Sequence, residues 1–196
     1  MAIIVDKEQK RRDIALSCKS LVLENGIHSL SVATLAKEAG IGKGTVYEYF
    51  KNKEEILFEI VNIMMQVHSE KLLEELETLT TTKAKIKKFS EFFYSEEDKE
   101  LRSMYKEFTA ISLGNPTQEI LIFQTSSMQN YYNVFEKILK SGVEKGELKE
   151  SSLSLAKGIF VVGKGMYVVS ETTTSIIDIK TELNQFFDAL FDLMEV

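Results

Sequence analysis

The sequence predicts an all-α protein. Three observations carry the prediction: apolar residues recur at helical spacing along most of the 196 residues, one proline alone, Pro116, interrupts them, and no run alternates apolar with polar residues as a half-buried strand would. Hydrophobic residues make up 44% of the chain, enough for a sizeable core. About nine helices are expected.

Helix 1 starts near Asp6, a capping side chain with Gln9 at the third position, carries Ile14, Cys18, Leu21 and Val22 inward, and stops at Asn25-Gly26. Ser31 stands at the cap of helix 2, whose buried face is Val32, Leu35, Ala36 and Ala39. Gly40 ends it with a residue free to take positive φ, Ile41 plugs the corner, and helix 3 resumes through Val46, Tyr47 and Phe50. Helix 4 is capped by Asn52 with Glu55 at the third position and runs through Ile56, Ile60, Ile63 and Val67 toward Leu79, where Thr80 to Thr82 break it. Helix 5 is expected over 83–94 and helix 6 over 96–113, with Ser95 and Asp98 as a capping pair and Gly114-Asn115-Pro116 as the stop. Helix 7, 117–145, shows a stripe of Leu121, Thr125, Met128, Tyr132, Phe135 and Leu139, and Gly146 ends it. Helices 8 and 9 are expected over 152–171 and 178–194.

Charge divides the chain. Residues 1–55 hold nine Lys/Arg against eight Asp/Glu, whereas 56–196 hold fifteen against twenty-two, so a near-neutral head precedes an acidic body. We read residues 1–52 as a helix-turn-helix domain and 53–196 as a helical regulatory and dimerisation domain. An acidic body repels nonspecific phosphate contact and leaves nucleic-acid binding to a small basic surface. Cys18, the single cysteine, allows no internal disulfide and suits a reducing cytoplasm. The N-terminal MAIIVDKEQKRR is too short an apolar run, with charges on the wrong side, for a signal peptide. No apolar stretch is expected to span a membrane.

The short turn between helices 2 and 3 sets them at a steep angle, as in a helix-turn-helix. Lys43, Gly44 and Thr45 lie opposite the packing positions of helix 3, giving it an exposed, small and basic first turn that fits a DNA major groove. Lys43 suits guanine O6/N7 or a phosphate, Gly44 allows close approach to base edges, and Thr45 offers a hydroxyl and a methyl to thymine. Glu48 either accepts from a cytosine amino group or points to solvent. Ser31 is placed to donate to a phosphate from the cap of helix 2.

This stretch resembles the TetR family of bacterial transcriptional regulators, whose motif has the form Leu/Ile-Ala-x-x-Ala-Gly-Val/Ile-x-x-Gly-x-Val/Leu-Tyr-x-Tyr/His-Phe-x-x-Lys-Glu. Leu35, Ala36, Ala39, Gly40, Ile41, Gly44, Val46, Tyr47, Tyr49, Phe50, Lys53 and Glu54 match it. The resemblance covers about residues 10–60; beyond them only length and helical layout agree. One departure is Gly42, where the family more often has Ser or a similar cap. The resemblance implies that Tyr47 and Tyr49 contact phosphates. It also bears on Lys53, a cation in a helix's first turn, where the macrodipole disfavours it. A phosphate bound there would be attracted by both, and we expect that contact rather than a solvated lysine offset by Glu54 and Glu55.

Helices 8 and 9 are apolar on more of their surface than one core face requires, and such helices are central or shared with another subunit. At this end of the sequence sharing is the expected reading. Ile159, Val162, Met166, Leu183, Phe187, Leu190 and Phe191 are the candidate interface of a homodimer, and Gly158, Gly163 and Gly165 permit close backbone approach. The resemblance implies the same, since in the family the last two helices pair with their mates as a four-helix bundle. A two-fold dimer reads a palindromic operator on double-stranded DNA. The resemblance further implies induction by a small-molecule effector, with movement of helix 4 changing the separation of the recognition helices.

Phe93, Met104, Phe108, Met128, Tyr131, Tyr132, Phe135 and Met166, with Phe89, Gln124 and Ser127 beside them, are candidates for lining an effector cavity. For any one of them taken singly, ordinary core packing is the better explanation. Few charges fall on these stripes, so an apolar or aromatic effector is expected. No phosphate loop is present, because Lys37 stands where Gly42-Lys43 would need a glycine and Gly44 where a hydroxyl is needed. His28 and His68 are too far apart to suggest a metal site, no cofactor is implied, and no cluster of acid, base and nucleophile suggests an enzyme. The run Lys83, Lys85, Lys87, Lys88 reads as a solvated helix face rather than a second DNA patch. The expected function is that of a ligand-responsive repressor; the alternative is an architectural or cofactor-recruiting DNA-binding protein without an inducer.

Overall fold

A computed structural model describes residues 6–114 and 116–196. Met1 to Val5, within the N-terminal apolar run, and Asn115, inside the expected Gly-Asn-Pro stop, lie outside the described residues. Among the described residues the protein is all-α, with nine α-helices: α1 (Lys7–Asn25), α2 (Val32–Glu38), α3 (Lys43–Tyr49), α4 (Lys53–Thr78), α5 (Thr82–Glu91), α6 (Lys99–Gly114), α7 (Gln118–Glu144), α8 (Ala156–Thr172) and α9 (Ile179–Met194). Short 3-10 turns, Ile27–Ser29 and Glu150–Leu155, precede α2 and α8. The chain forms two compact units, residues 1–68 with 100–116 and residues 69–99 with 117–196. α4 is one continuous helix whose first part belongs to the first unit and whose last part belongs to the second.

In the first unit Ile14, Cys18 and Val22 of α1, Leu35 of α2, Val46 of α3 and Ile56, Leu57 and Ile60 of α4 are all buried, together with Met104 and Phe108 of α6. The Cys18 Sγ lies 3.5 Å from the Leu35 carbonyl, and burial pushes its thiol up from the usual range. Asp6 accepts from the N–H groups of Glu8 and Gln9 at 3.0 and 3.2 Å. Gln9 instead reaches forward to Asp13, so the return half of a capping box is not made. Asn52 caps α4 by accepting from Glu55 N at 2.9 Å.

The second unit buries Ile86 of α5, Phe135 and Leu139 of α7, Ala156 and Ile159 of α8, and Leu183, Phe187 and Phe191 of α9 in one cluster. Its chain end is pinned where Lys149 N and Nζ donate to the Met194 and Leu193 carbonyls. Helix 8 departs from the expected start at 152: Glu150–Leu155 is 3-10, and the α-helix begins at Ala156. The Ser154 hydroxyl bonds the Ser151 carbonyl at 2.7 Å, the local competition by which serines unsettle a first α-turn. Likewise Ser95 accepts from Asp98 N at 3.4 Å, but α6 begins only at Lys99. Three of the four lysines on α5 are ion-paired and not simply solvated: Lys83 and Lys87 reach Asp188 of α9 at 3.0 and 2.7 Å, and Lys88 reaches Glu75 and Glu91. Glu150–Thr172 has the length and composition of a bilayer span, which corrects the expectation that no segment does. In the fold it is broken by the 3-10 turn, and α8 buries Ala156, Ile159, Gly163 and Tyr167 in the core.

The N-terminus of α5 is satisfied from two sides. Thr81 accepts from Ala84 N at 3.2 Å, and the Glu147 carboxylate accepts from Thr82 N at 2.7 Å. Gly142 is required here, since a Cβ would stand 2.5 Å from the Thr82 hydroxyl. That N–H, with the Thr82 side chain also contributing, holds the Glu147 carboxyl below its ordinary range. A carboxyl depressed in the folded state stabilises fully above its unfolded pKa, about 4.3, and loses that contribution as pH falls through the folded value. Urea titrations should therefore find wild type more stable than Glu147→Gln at neutral pH, with the gap closing below about pH 4; a gap independent of pH would contradict this role.

Candidate DNA interface and regulatory unit

The turn between α2 and α3 is built by backbone bonds that its sequence permits. Gly40 takes φ +66°, its N–H bonds the Lys37 carbonyl at 3.1 Å, and Ile41 N bonds the Ala36 carbonyl at 3.0 Å, a glycine-dependent helix stop. Ser31 caps α2 by accepting from Thr34 N at 3.1 Å, and its hydroxyl also lies 2.8 Å from the Thr34 hydroxyl. Two hydroxyls sharing one hydrogen bond leave one O–H for an outside acceptor. Gly42 precedes α3 with no side-chain cap.

On α3 the packing side is Val46, 1% exposed. Lys43, Gly44 and Tyr47 are exposed, and Thr45 and Tyr49 are half-buried. A Cβ at Gly44 would meet nothing within 4 Å, so its small size serves no contact inside the protein and leaves the surface there low. The Lys43 ammonium lies 5.9 Å from the Tyr47 ring centroid, within cation–π range. The outer turns of α3 thus expose a cation and a phenol, with the Thr45 hydroxyl half-buried beside them.

Lys53 is half-buried and already engaged within the chain. Its Nζ donates to the carbonyls of His28 at 2.7 Å and Leu30 at 3.0 Å, whose partial negative charge offsets the unfavourable macrodipole at the start of α4. One of its three ammonium protons is left over. The same 3-10 turn is also held by Glu107 of α6, which accepts from Ile27 N at 2.9 Å. The turn that leads into α2 is thus gripped by α4 through Lys53 and by α6 through Glu107.

Arg11 is a functional support that the sequence did not single out. Its Nε donates to Glu59 at 2.9 Å, its Nη1 donates to the Tyr49 carbonyl, and its guanidinium stacks 4.3 Å from the Phe50 ring centroid. One side chain ties α1 to the end of α3 and to α4. Nothing in the local sequence marks it, because Arg11 sits on α1 among exposed charges and its partners lie 38 and 48 residues away.

Comparison with known proteins decides the family. Residues 19–60, from the last turns of α1 to the first turns of α4, match the model for bacterial regulatory proteins of the tetR family. The fatty acid metabolism regulator protein of Bacillus subtilis is 30% identical over 146 residues, 74% of this chain and 73% of that protein. The chain belongs to the TetR family. Among solved structures, a FadR transcriptional regulator of B. subtilis in complex with stearoyl-CoA aligns with TM-score 0.68 and 25% identity, covering 91% of this chain and 96% of that one. A transcriptional regulator of Saccharomonospora viridis in complex with choline aligns with TM-score 0.75 at 18% identity over 92% of this chain and 96% of that one, a likeness of fold. This TetR-family protein is a ligand-responsive, DNA-binding transcriptional regulator and not an enzyme.

The candidate effector residues of this TetR-family regulator fall in two places. Met104 and Phe108 are 1% exposed in the first unit, where Phe108 packs edge-on against Phe58 at 5.1 Å. Phe93, Met128, Tyr131, Tyr132, Phe135 and Met166 belong to the second unit. There Phe135 is a core residue, with ring centroids 5.5 Å from Phe89 and 5.4 Å from Phe160. Phe93 lies 5.7 Å from Tyr167 and occupies the space that a Cβ at Gly163 would need. Met128, Tyr131, Tyr132 and Met166 are half-buried.

The candidate dimer residues divide by face. Ile159, Leu183, Phe187 and Phe191 are at most 5% exposed inside the chain's own core, so they have almost no surface to give a second subunit. Val162, Met166 and Leu190 are half-buried. The open apolar surface of the same helices is instead Val161, Val168, Val169 and Leu193. Gly158 and Gly165 share that face of α8, and a Cβ at either would meet nothing within 4 Å; only Gly163 is explained by packing within the chain. All-round apolarity was legible in sequence, but which stripe faces inward was not, because both stripes repeat at helical spacing.

Proposed function

We propose that this protein is a homodimeric repressor that binds a palindromic operator and releases it on binding a long-chain fatty acyl-CoA. The observation that carries the reading is likeness to the B. subtilis fatty acid metabolism regulator over three quarters of the chain, far beyond the DNA-binding head, joined to the stearoyl-CoA bound by a FadR structure that aligns over 91% of it. The half-buried apolar side chains of Phe93, Met128, Tyr131 and Met166 suit an acyl tail, and few charges would have to be desolvated beside it. Dimerisation through the open faces of α8 and α9 accounts for Gly158 and Gly165, whose small size nothing within the chain uses. Work in the cytoplasm accords with the free, buried Cys18.

In this reading Lys43, Gly44 and Thr45 read bases, while Ser31, Tyr47, Tyr49 and the remaining proton of Lys53 bind phosphates. α4 links the two activities covalently, since it carries Lys53 at one end and continues into the second unit. An acyl-CoA releases the operator only by binding the released arrangement more tightly.

Two measurements test this. DNA selected from a random pool should contain a palindrome, and stearoyl-CoA should release it at concentrations where stearate and free CoA do not; recovery of no palindrome, or release by none of the three, would overturn the reading. On the selected operator Lys43→Ala should cost about 1 to 3 kcal/mol and relax specificity at one base pair. Lys53→Ala should weaken specific and random DNA alike and flatten the salt dependence. Identical profiles for the two variants would remove the division of roles.

A further inference from the structure

A groove runs between α7 and α8, apart from the open apolar face described above except at Val161. Gln124, Gln129 and Tyr132 line it from α7, and Lys157, Phe160 and Val161 from α8, around an open volume of about 290 Å³. Its floor is aromatic and firmly backed. Tyr132 and Phe160 meet edge to face at 5.5 Å, and Phe160 rests on the core ring of Phe135 at 5.4 Å. Its rim carries one cation, since the Lys157 ammonium lies 5.9 Å from the Tyr132 ring centroid.

The lysines of this acidic unit differ in whether a carboxylate holds them. Lys83, Lys87, Lys88 and Lys140 each sit on a carboxylate, whereas Lys157 is exposed and makes no ion pair among the described residues. Glu136, one turn along α7 from Tyr132, is occupied by Lys140 at 2.7 Å and by the Tyr132 hydroxyl at 3.2 Å. The groove therefore offers two aromatic rings, the side-chain amides of Gln124 and Gln129, the second of which already donates to Asn133 at 2.6 Å, and an ammonium with no carboxylate partner among the described residues. That combination fits a flat heteroaromatic ring bearing phosphate: the ring stacks on Tyr132 and Phe160, the amides bond its edge, and Lys157 pairs with the anion. The volume lies at the small end of ligand sites, room for a nucleotide but not also for an acyl tail. Met128 and Tyr132, half-buried candidates for the effector site, also line this groove, so head and tail would share a wall.

We propose that the α7–α8 groove is the subsite for the adenine-nucleotide head of the CoA thioester. The inference rests on the acyl-CoA reading above. It makes the nucleotide, and not the acyl chain alone, a determinant of recognition, and so separates a CoA thioester from a free fatty acid.

The test compares stearoyl-CoA with stearoyl-pantetheine, which keeps the thioester and tail but lacks the nucleotide, by calorimetric titration of the full-length wild type, Lys157→Glu and Lys157→Arg. A lost charge-assisted contact corresponds to roughly 10-fold to 100-fold. Lys157→Glu should bind stearoyl-CoA weaker by that factor, bind stearoyl-pantetheine as wild type does, and keep the wild-type oligomeric state; Lys157→Arg should restore most of the stearoyl-CoA affinity. Unchanged stearoyl-CoA binding by Lys157→Glu, an equal loss for both ligands, or an altered oligomeric state would overturn the subsite while leaving acyl-CoA as effector. Wild type that binds neither thioester would overturn the acyl-CoA reading, and the subsite with it.

Discussion

Val169→Glu is expected to convert the proposed dimer to a monomer and to lower operator affinity by at least about 100-fold, while the chain keeps its fold. Val169 is 38% exposed on α8, on the side of the helix that carries Gly158 and Gly165, so within one chain the new carboxylate stays in water. In the proposed dimer two such carboxylates would be brought together near a two-fold axis, desolvated and of like charge. A monomer presents one recognition helix to one half-site and forfeits the effective concentration that linkage gives the second, a factor of roughly 10² to 10⁴. Phe187→Glu is the necessary contrast. Phe187 is 3% exposed in the core cluster, and the substitution there combines a lost aromatic, about 3 to 5 kcal/mol, with a buried unpaired charge, so the second unit should fail to fold. Sedimentation and circular dichroism separate the two results. A Val169→Glu protein that stays dimeric would place the interface elsewhere.

Arg11→Ala should destabilise the head by about 2 to 4 kcal/mol, well above what an exposed ion pair contributes. The reason is the number of groups left behind. Glu59 loses a partner 2.9 Å away while its own side chain stays mostly buried at 14% exposed, the Tyr49 carbonyl loses its donor, and Phe50 loses the cation stacked on it. Arg11→Lys should recover only part of this, because a point-charge ammonium cannot bond a carboxylate, bond a carbonyl and stack at once. Since Tyr49 and Phe50 end the recognition helix, operator affinity should fall with stability. Chemical denaturation and DNA titration check both, and a loss confined to DNA binding would mean that Arg11 touches phosphate rather than supporting α3.

What was readable in the sequence depended on range. Ser31, Gly40 and Asn52 act on residues within four positions, and their bonds are those that local capping rules anticipate. Lys53 marks where such rules end. Its position at the start of α4 reads as a conflict with the macrodipole, and the resolution lies in the carbonyls of His28 and Leu30, more than twenty residues earlier. Glu107 is further removed still, capping Ile27 from a helix eighty residues on. The lysine run on α5 shows the same limit, since composition reads four solvated cations and Asp188 of α9 binds two of them.

By itself the sequence determined the helical class, the corner at Gly40, the small and basic outer turn of α3, and the apolar excess of α8 and α9, because each follows from propensity, capping or periodicity over a few turns. The tertiary structure alone decided which stripe of α8 and α9 is core, which charges are paired, that Met104 and Phe108 pack in a different unit from the other candidate effector residues, and that Tyr132, Phe160 and Lys157 meet at one groove. Periodicity sets how many faces a helix has, but only packing against distant elements determines which of them water sees.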